Sequence, residues 1–359
     1  MKNDEIVIGK FDSLYSEIMD EKRKFIIQLP DEYEESGEKY PVVYLLNADY
    51  ETYFVNGAST ISYMADMGRI PHTIVVGIPT PDHGKDLFPF KVENRVTVAA
   101  AKKFLGFLTD ELIPHIEREY RTQPFRILIG QSNGGLFTVY ALLERPEAFN
   151  AYIAGSPMLG WGTKKICQMA QKSFRKQTMK GRFLYMSYGD RDYKHVIFAV
   201  PEFVRLLEKQ GPDGLRWQSV ILEGEGHTPL STVYNGLTFV FPEWAIPTER
   251  AAEMGLEGIQ RYYEDLSEKY GFTIKPPASV LLDTAYDWFM NEKLDQAQFM
   301  SEYITSNFPQ VVSAHHLLGL IYQKKNNNQA AIKCYRRVLE IDPEEPRALK
   351  RLEELGEKV

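Results

Sequence analysis

FRILIGQSNGGLFTVYALL, residues 125–143, decides the fold. An apolar run, Phe125–Ile129, enters Gly130-Gln131-Ser132-Asn133-Gly134, and an amphipathic stretch follows at once. The short run has strand length and the stretch after it has helix periodicity, so the serine stands on a tight strand-to-helix turn. Glycines on both sides leave room for the close approach of strand and helix. The pattern is G-x-S-x-G in the strand–turn–helix setting that gives it meaning. A hydroxyl held there projects at a helix N-terminus, where free backbone N–H groups and the helix dipole favour developing negative charge.

Outward from this stretch, residues 23 to 245 alternate β-rich runs with longer amphipathic ones. The expected strands are Lys24–Leu29, Val42–Leu46, Thr73–Ile78, Phe125–Ile129, Ala151–Ala154, Phe183–Ser187 and Gln218–Leu222. Several are apolar throughout, as strands covered on both faces are. Between the third and fourth, Ala101, Phe104, Leu105, Leu108, Leu112 and Ile116 repeat at three- and four-residue steps and predict one helix. Such alternation implies an α/β architecture with a mostly parallel sheet and helices on both sides. With the serine elbow in place, the expected fold is that of the α/β-hydrolases.

Past residue 246 no further strand is expected. Tyr262, Tyr263 and Leu266 have helical spacing, and Lys275-Pro276-Pro277 reads as a break. Pro309 and Pro343 lie 34 residues apart (343 − 309), the tetratricopeptide period. Leu318, Gly319, Tyr322, Ala331, Tyr335 and Pro343 occupy that repeat's signature positions. The preceding copy is degenerate: Thr284, Ala285, Trp288, Ala297, Ser301 and Pro309. Residues 346 to 356 predict a polar capping helix, which a stacked array needs at an exposed end. The expected division is therefore 1–245 hydrolase, 246–277 helical connector and linker, and 278–359 a small all-α region of two tetratricopeptide-like repeats with a cap. A tail of this kind suits homo-oligomer or protein-partner contact.

Composition narrows the function classes. The 359-residue chain is 44% hydrophobic and 25% charged, ordinary for a globular protein. A net charge of −7 argues against nucleic acid as a partner. No stretch reaches the roughly 18 apolar residues a membrane helix needs. The first residues, MKNDEIVIGK, carry acids and no apolar run, so a secretory leader is not expected. Cys167 and Cys334 lie far apart and fit no metal-ligand spacing. A cytoplasmic protein with reduced thiols, and without metal or organic cofactor, is the expectation.

A serine hydroxyl needs a base, and the base an orienting acid. In this fold they follow in the order serine, acid, histidine. Downstream of Ser132 the hydrolase region offers His195 and His227. His227 sits in the glycine-rich Glu223–Pro229 loop after the last expected strand, where a base reaches back over the sheet. His195 reads as a surface or capping residue at a helix start, and His115 as structural within the long helix. After the Phe183–Ser187 strand, Gly189 is followed by Asp190 and Asp192, which chemistry alone does not separate. The oxyanion needs two donors. One is the backbone N–H of Asn133; the other comes from the loop after Val42–Leu46, at Ala48 or Asp49. Tyr50 and Tyr53 near that loop, and Trp161 beyond Ser156-Pro157, are candidate substrate-binding walls, with plain packing as the competing role.

These residues resemble the esterase family that includes S-formylglutathione hydrolases, feruloyl and other carbohydrate esterases, and the enterochelin and siderophore esterases. The resemblance spans residues 10 to 245 and rests on the elbow together with Leu29–Tyr33, Lys39–Leu46, Asp110–Pro114 and Gly155-Ser156-Pro157. It implies hydrolysis of a small-molecule carboxylic ester through an acyl-enzyme. In the family the acid stands three residues past the strand-ending glycine, which implies Asp192. Two departures stand out. Asn47-Ala48 replaces the usual Asp-Gly, and His83–Pro89 replaces an arginine-rich stretch that bears on anionic substrates. The rival readings are an acyltransferase using the same triad and a non-catalytic scaffold whose repeats bind a partner.

Overall fold

A computed structural model describes residues 7–31, 33–93 and 96–357. The acidic start of the chain (residues 1–6), Glu32 of the Leu29–Tyr33 phrase, and the last two residues lie outside them. The chain forms two compact units, residues 1–242 with 270–272, and residues 243–269 with 273–359.

The first unit is built on one eight-stranded sheet in the order β1-β2-β4-β3-β5-β6-β7-β8. The strands are β1 (Lys10–Ser16), β2 (Glu21–Gln28), β3 (Tyr40–Leu46), β4 (Ile74–Ile78), β5 (Thr122–Gln131), β6 (Ala151–Gly155), β7 (Arg182–Gly189) and β8 (Leu215–Leu222). From β4 onward across the sheet every pair is parallel; β1 and β2 are antiparallel to their neighbours. β3, β4 and β6 are buried at every position, because helices cover both faces. Tyr44, Phe104, Phe137 and Phe149 are among the large side chains wholly removed from water. The strand order reverses between β3 and β5, and the loops at their carboxyl ends face the crevice where open α/β sheets place their ligands.

Two elements differ from the sequence expectation. β1 was not expected, and its residues are mostly exposed. As an edge strand paired on one side only, it lacks the apolar run that marks the inner strands. Its end is tied down by Glu111, which accepts from the Ser16 hydroxyl and, at 3.0 Å, from the Ile18 N–H. The single helix expected over 101–116 is interrupted: Ala101–Gly106 and Ile113–Glu119 are α-helical, with a π-helical segment, Phe107–Leu112, between them. Pro114 has no N–H for the carbonyl of Asp110 and its ring crowds that turn, so a wider turn relieves the conflict. The apolar face survives, with Phe104, Leu108, Leu112 and Ile116 all buried.

The helix Thr248–Tyr270, whose residues up to 269 belong to the second unit, is broken at Gly255 (φ 66°). Two helical hairpins follow, Ala278–Met290 with Leu294–Asn307 and Val312–Lys324 with Asn328–Ile341. Pro346–Glu354 is the closing helix, and Ala348 and Leu352 carry its buried face. A Cβ on Gly319 would stand 2.5 Å from the Tyr335 ring, so the glycine is what lets the paired helices close on that tyrosine. In the degenerate copy the same two positions are Ala285 and Ser301, both fully buried. A small partner for a small residue replaces glycine against tyrosine. Among the described residues no helix is long and apolar enough to cross a membrane.

Candidate active site

The carboxyl ends of the six parallel strands, β3 to β8, converge on one site. β5 ends in the elbow, where Ser132 has φ 56° and ψ −117°, a backbone that L-residues rarely adopt. Two glycines make the turn possible. A Cβ on Gly130 would meet the Gly134 carbonyl oxygen at 2.4 Å, and one on Gly134 would meet Asn47 Oδ1 at 2.2 Å. The elbow opens helix Asn133–Glu144, whose first N–H groups have no partner one turn back.

Ser132 Oγ lies 2.9 Å from His227 Nε2, and His227 Nδ1 lies 2.6 Å from Asp192 Oδ1. Asp192 is buried, and its oxygens are fully engaged. Oδ1 also accepts from the Tyr193 N–H at 2.6 Å, and Oδ2 accepts from the Ser156 hydroxyl at 2.5 Å. Burial pushes the Asp192 carboxyl up, but the hydrogen bonds from His227, Ser156 and the Tyr193 N–H outweigh it and hold it below the ordinary carboxylate range. An ionised carboxylate only accepts, so it fixes the His227 proton on Nδ1 and leaves Nε2 to accept from the Ser132 hydroxyl. Asp190 is elsewhere: it is exposed, and its Oδ1 accepts from the Gly224 N–H at 2.9 Å, bracing the loop that carries His227.

The other residues expected from the sequence sort as follows. The Ala48 N–H donates to the Ile78 carbonyl at 3.2 Å. That withdraws Ala48 as a free donor and leaves Asp49 of the pair. The Asp49 carboxylate turns away to the end of β4, accepting from the Thr80 N–H at 2.7 Å. Tyr53 hydroxyl meets Thr228 Oγ1 at 3.0 Å, beside His227. Tyr50 is half exposed, with its ring 5.5 Å from that of Tyr53. Trp161 donates from Nε1 to Asn133 Oδ1 at 3.0 Å, and its ring stacks on that of His195 at 4.6 Å. His195 is exposed and supports Trp161, while His115 packs edge-on against Phe25.

Three neighbours were not expected from the sequence. Ser156 hydrogen-bonds Asp192 and accepts from the Thr228 N–H at 2.8 Å, so it joins the acid to the histidine loop. Tyr193 lays its ring 4.4 Å from that of His227. His83, after β4, reaches the side-chain amides of Asn133 and Asn47. Ser156 lay in Gly155-Ser156-Pro157 and His83 opened the divergent His83–Pro89 stretch, but nothing in either signalled these contacts, such as the Ser156 bond to an aspartate 36 residues away.

Comparison with known proteins adds the relationship. The family model described as "Putative esterase" matches residues 16–193, and the tetratricopeptide repeat model matches residues 312–345. The ferri-bacillibactin esterase BesA of Bacillus subtilis is 28% identical over 212 residues, 52% of this chain and 73% of that protein. The siderophore triacetylfusarinine C esterase of Aspergillus fumigatus is 31% identical over 109 residues, 27% of this chain and 37% of that protein. The crystal structure of an IroE-like serine hydrolase from Shewanella oneidensis superposes with a TM-score of 0.71 at 26% identity, covering 84% of this chain and 99% of that one.

Proposed function

From the "Putative esterase" membership of residues 16–193, which makes the chain a carboxylic ester hydrolase, we propose that it works as a serine esterase through a covalent acyl-enzyme. The observation that carries this reading is the unbroken line from Ser132 Oγ through His227 to the buried Asp192, at 2.9 and 2.6 Å, on a strained elbow. Ser132 Oγ attacks the ester carbonyl carbon and its proton passes to His227 Nε2. The charge that develops on the carbonyl oxygen is taken up by the backbone N–H of Asn133 and, in this reading, that of Asp49. The intermediate collapses with cleavage of the C–O bond, and the imidazolium returns its proton to the departing alkoxide. Water then repeats the sequence on the acyl-serine, giving the free acid and restoring Ser132. Asp192 stays ionised throughout and stabilises the imidazolium at each crossing.

The two relatives named for siderophore esters support a siderophore-type ester as the substrate class. Tyr50, Tyr53, Trp161 and Tyr193 would then wall the bound molecule. The decisive experiment is hydrolysis of a short-chain p-nitrophenyl ester by the wild type and by Ser132→Ala. Loss of roughly 10⁴- to 10⁶-fold in kcat is expected in the folded variant, together with loss of fluorophosphonate labelling. Turnover that survives the substitution would end the serine reading.

A further inference from the structure

His83 belongs to no part of the triad, yet it touches both sides of the nucleophile. Its Nδ1 lies 3.2 Å from Asn133 Nδ2, and its Nε2 lies 3.4 Å from Asn47 Nδ2. The Asn133 amide cannot turn over freely, because its oxygen is the acceptor for the Trp161 indole N–H at 3.0 Å. Its NH₂ therefore faces His83 and donates to Nδ1, so the neutral ring carries its proton on Nε2 and the Asn133 amide, not that of Asn47, is the one it hydrogen-bonds. A side chain thus clamped at both ends belongs to the residue whose backbone N–H follows the nucleophile. On the far side, Asn47 Oδ1 accepts from the Gln131 N–H at 3.3 Å and marks the floor of the elbow.

The scaffold under His83 is stiff. It opens the single turn His83–Asp86, capped by Asp82, whose carboxylate accepts from the Lys85 N–H at 3.0 Å. Asp86 at the other end is fully buried and paired with Arg23 at 2.7 Å, while Lys85 reaches Glu21 at 2.6 Å. Arg23 and Glu21 are both on β2, so the turn is pinned to the sheet from its acidic end and from its basic one.

We propose that neutral His83 is a positioning residue for the esterase reaction: its Nδ1 holds Asn133, and through it the oxyanion-binding N–H and the Trp161 wall, in the geometry the transition state needs. The proposal rests on the serine reading above. Protonation of Nδ1 would set N–H against NH₂ and release the clamp. Burial favours the neutral ring, against the pull of the carboxylates that face it, Asp49 from the loop after β3 and Asp86 and Asp82 on its own turn. The Tyr50 ring lies 6.1 Å away.

The test is steady-state and pre-steady-state hydrolysis of a p-nitrophenyl ester by the full chain and by His83→Ala, His83→Gln and Ser132→Ala. Glutamine can accept from Asn133 but cannot take up a proton. Alanine should lower kcat by roughly 10- to 100-fold with little change in KM, the size expected for a misplaced donor. Glutamine should restore kcat to within about threefold. On the acid side, wild-type kcat/KM should fall more steeply than that of the glutamine variant, by the one proton that His83 takes up. Folded His83→Ala with unchanged kcat, or glutamine as slow as alanine with the wild-type pH profile, overturns the proposal. Ser132→Ala separates the two readings: if it retains turnover and the acyl burst, the serine mechanism itself has failed, whatever His83 does.

Discussion

The two units of this chain use the same unusual backbone for opposite ends. In the hydrolase unit Asn47, Ser132, Ser156 and Thr228 have positive φ and stand on the loops that form the site, while Asp20 and Ala99 share that backbone in other turns. In the helical unit the non-glycine residues with positive φ among those described are Glu292 and Asn326, 34 positions apart (326 − 292). Each ends the first helix of a hairpin, where one left-handed residue turns the chain into the next helix. Repetition explains the second pair: the same turn is needed once per repeat. Nothing repeats in the first set, so its strain needs a local reason, and the hydrogen bonds that join Ser132, Ser156 and Thr228 to His227 and Asp192 supply one.

The sharpest way to break this contrast is at the acid. Asp192→Asn keeps the shape and removes the charge that stabilises the imidazolium, so kcat on a p-nitrophenyl ester should fall about 10⁴-fold. Asp190→Asn, two residues away, removes a charge at the base of the histidine loop but keeps an oxygen that can accept from the Gly224 N–H, and should leave kcat within a few-fold. Equal losses in the two variants would mean that the loop as a whole, and not the Asp192–His227 bond, is what the reaction depends on.

The helical unit should answer in stability and stay silent in chemistry. Gly319→Val drives a branched side chain into the buried Tyr335 ring, which is itself held by a 2.5 Å hydrogen bond to Gln323. Overpacking of this kind costs about 1–3 kcal/mol. Calorimetry should show a lower unfolding temperature, while ester turnover per folded molecule stays at the wild-type value. A fall in kcat without a fall in stability would show that the repeats take part in the reaction.

How much of this could be read from residues alone depended on distance along the chain. The elbow was legible because strand, glycines, serine and helix are contiguous, and the repeat because its period is written into its spacing. His227 was legible from the glycine loop that carries it. Asp190 and Asp192 were not separable by chemistry, since both are carboxylates on one turn; only the fold decides that one is buried against Ser156 and the other exposed. His83 and Asn133 are 50 residues apart, and their contact exists only because β4 and β5 flank β3 in the sheet. β1 and the π-helical segment escaped for the same kind of reason. An edge strand has no apolar run, and the widened turn at Phe107–Leu112 keeps the hydrophobic spacing of an ordinary helix.

The smallest effect bears most directly on the strain itself. Ser132→Ala and Ser132→Gly both lose the hydroxyl and its bond to His227, and both should be inactive. They differ in backbone freedom alone. Elsewhere glycine in place of alanine costs about 0.5–1 kcal/mol, because its unfolded chain is freer. At φ 56° and ψ −117° alanine keeps the strain that serine carries, which is of order 1–3 kcal/mol, whereas glycine releases it. The sign should therefore reverse: Ser132→Gly should unfold at a higher denaturant midpoint than Ser132→Ala, by about 1 kcal/mol once the two terms are set against each other. If alanine is the more stable of the two, the elbow stores no usable strain. The left-handed residues around the site would then be ordinary turns, no different in kind from Glu292 and Asn326.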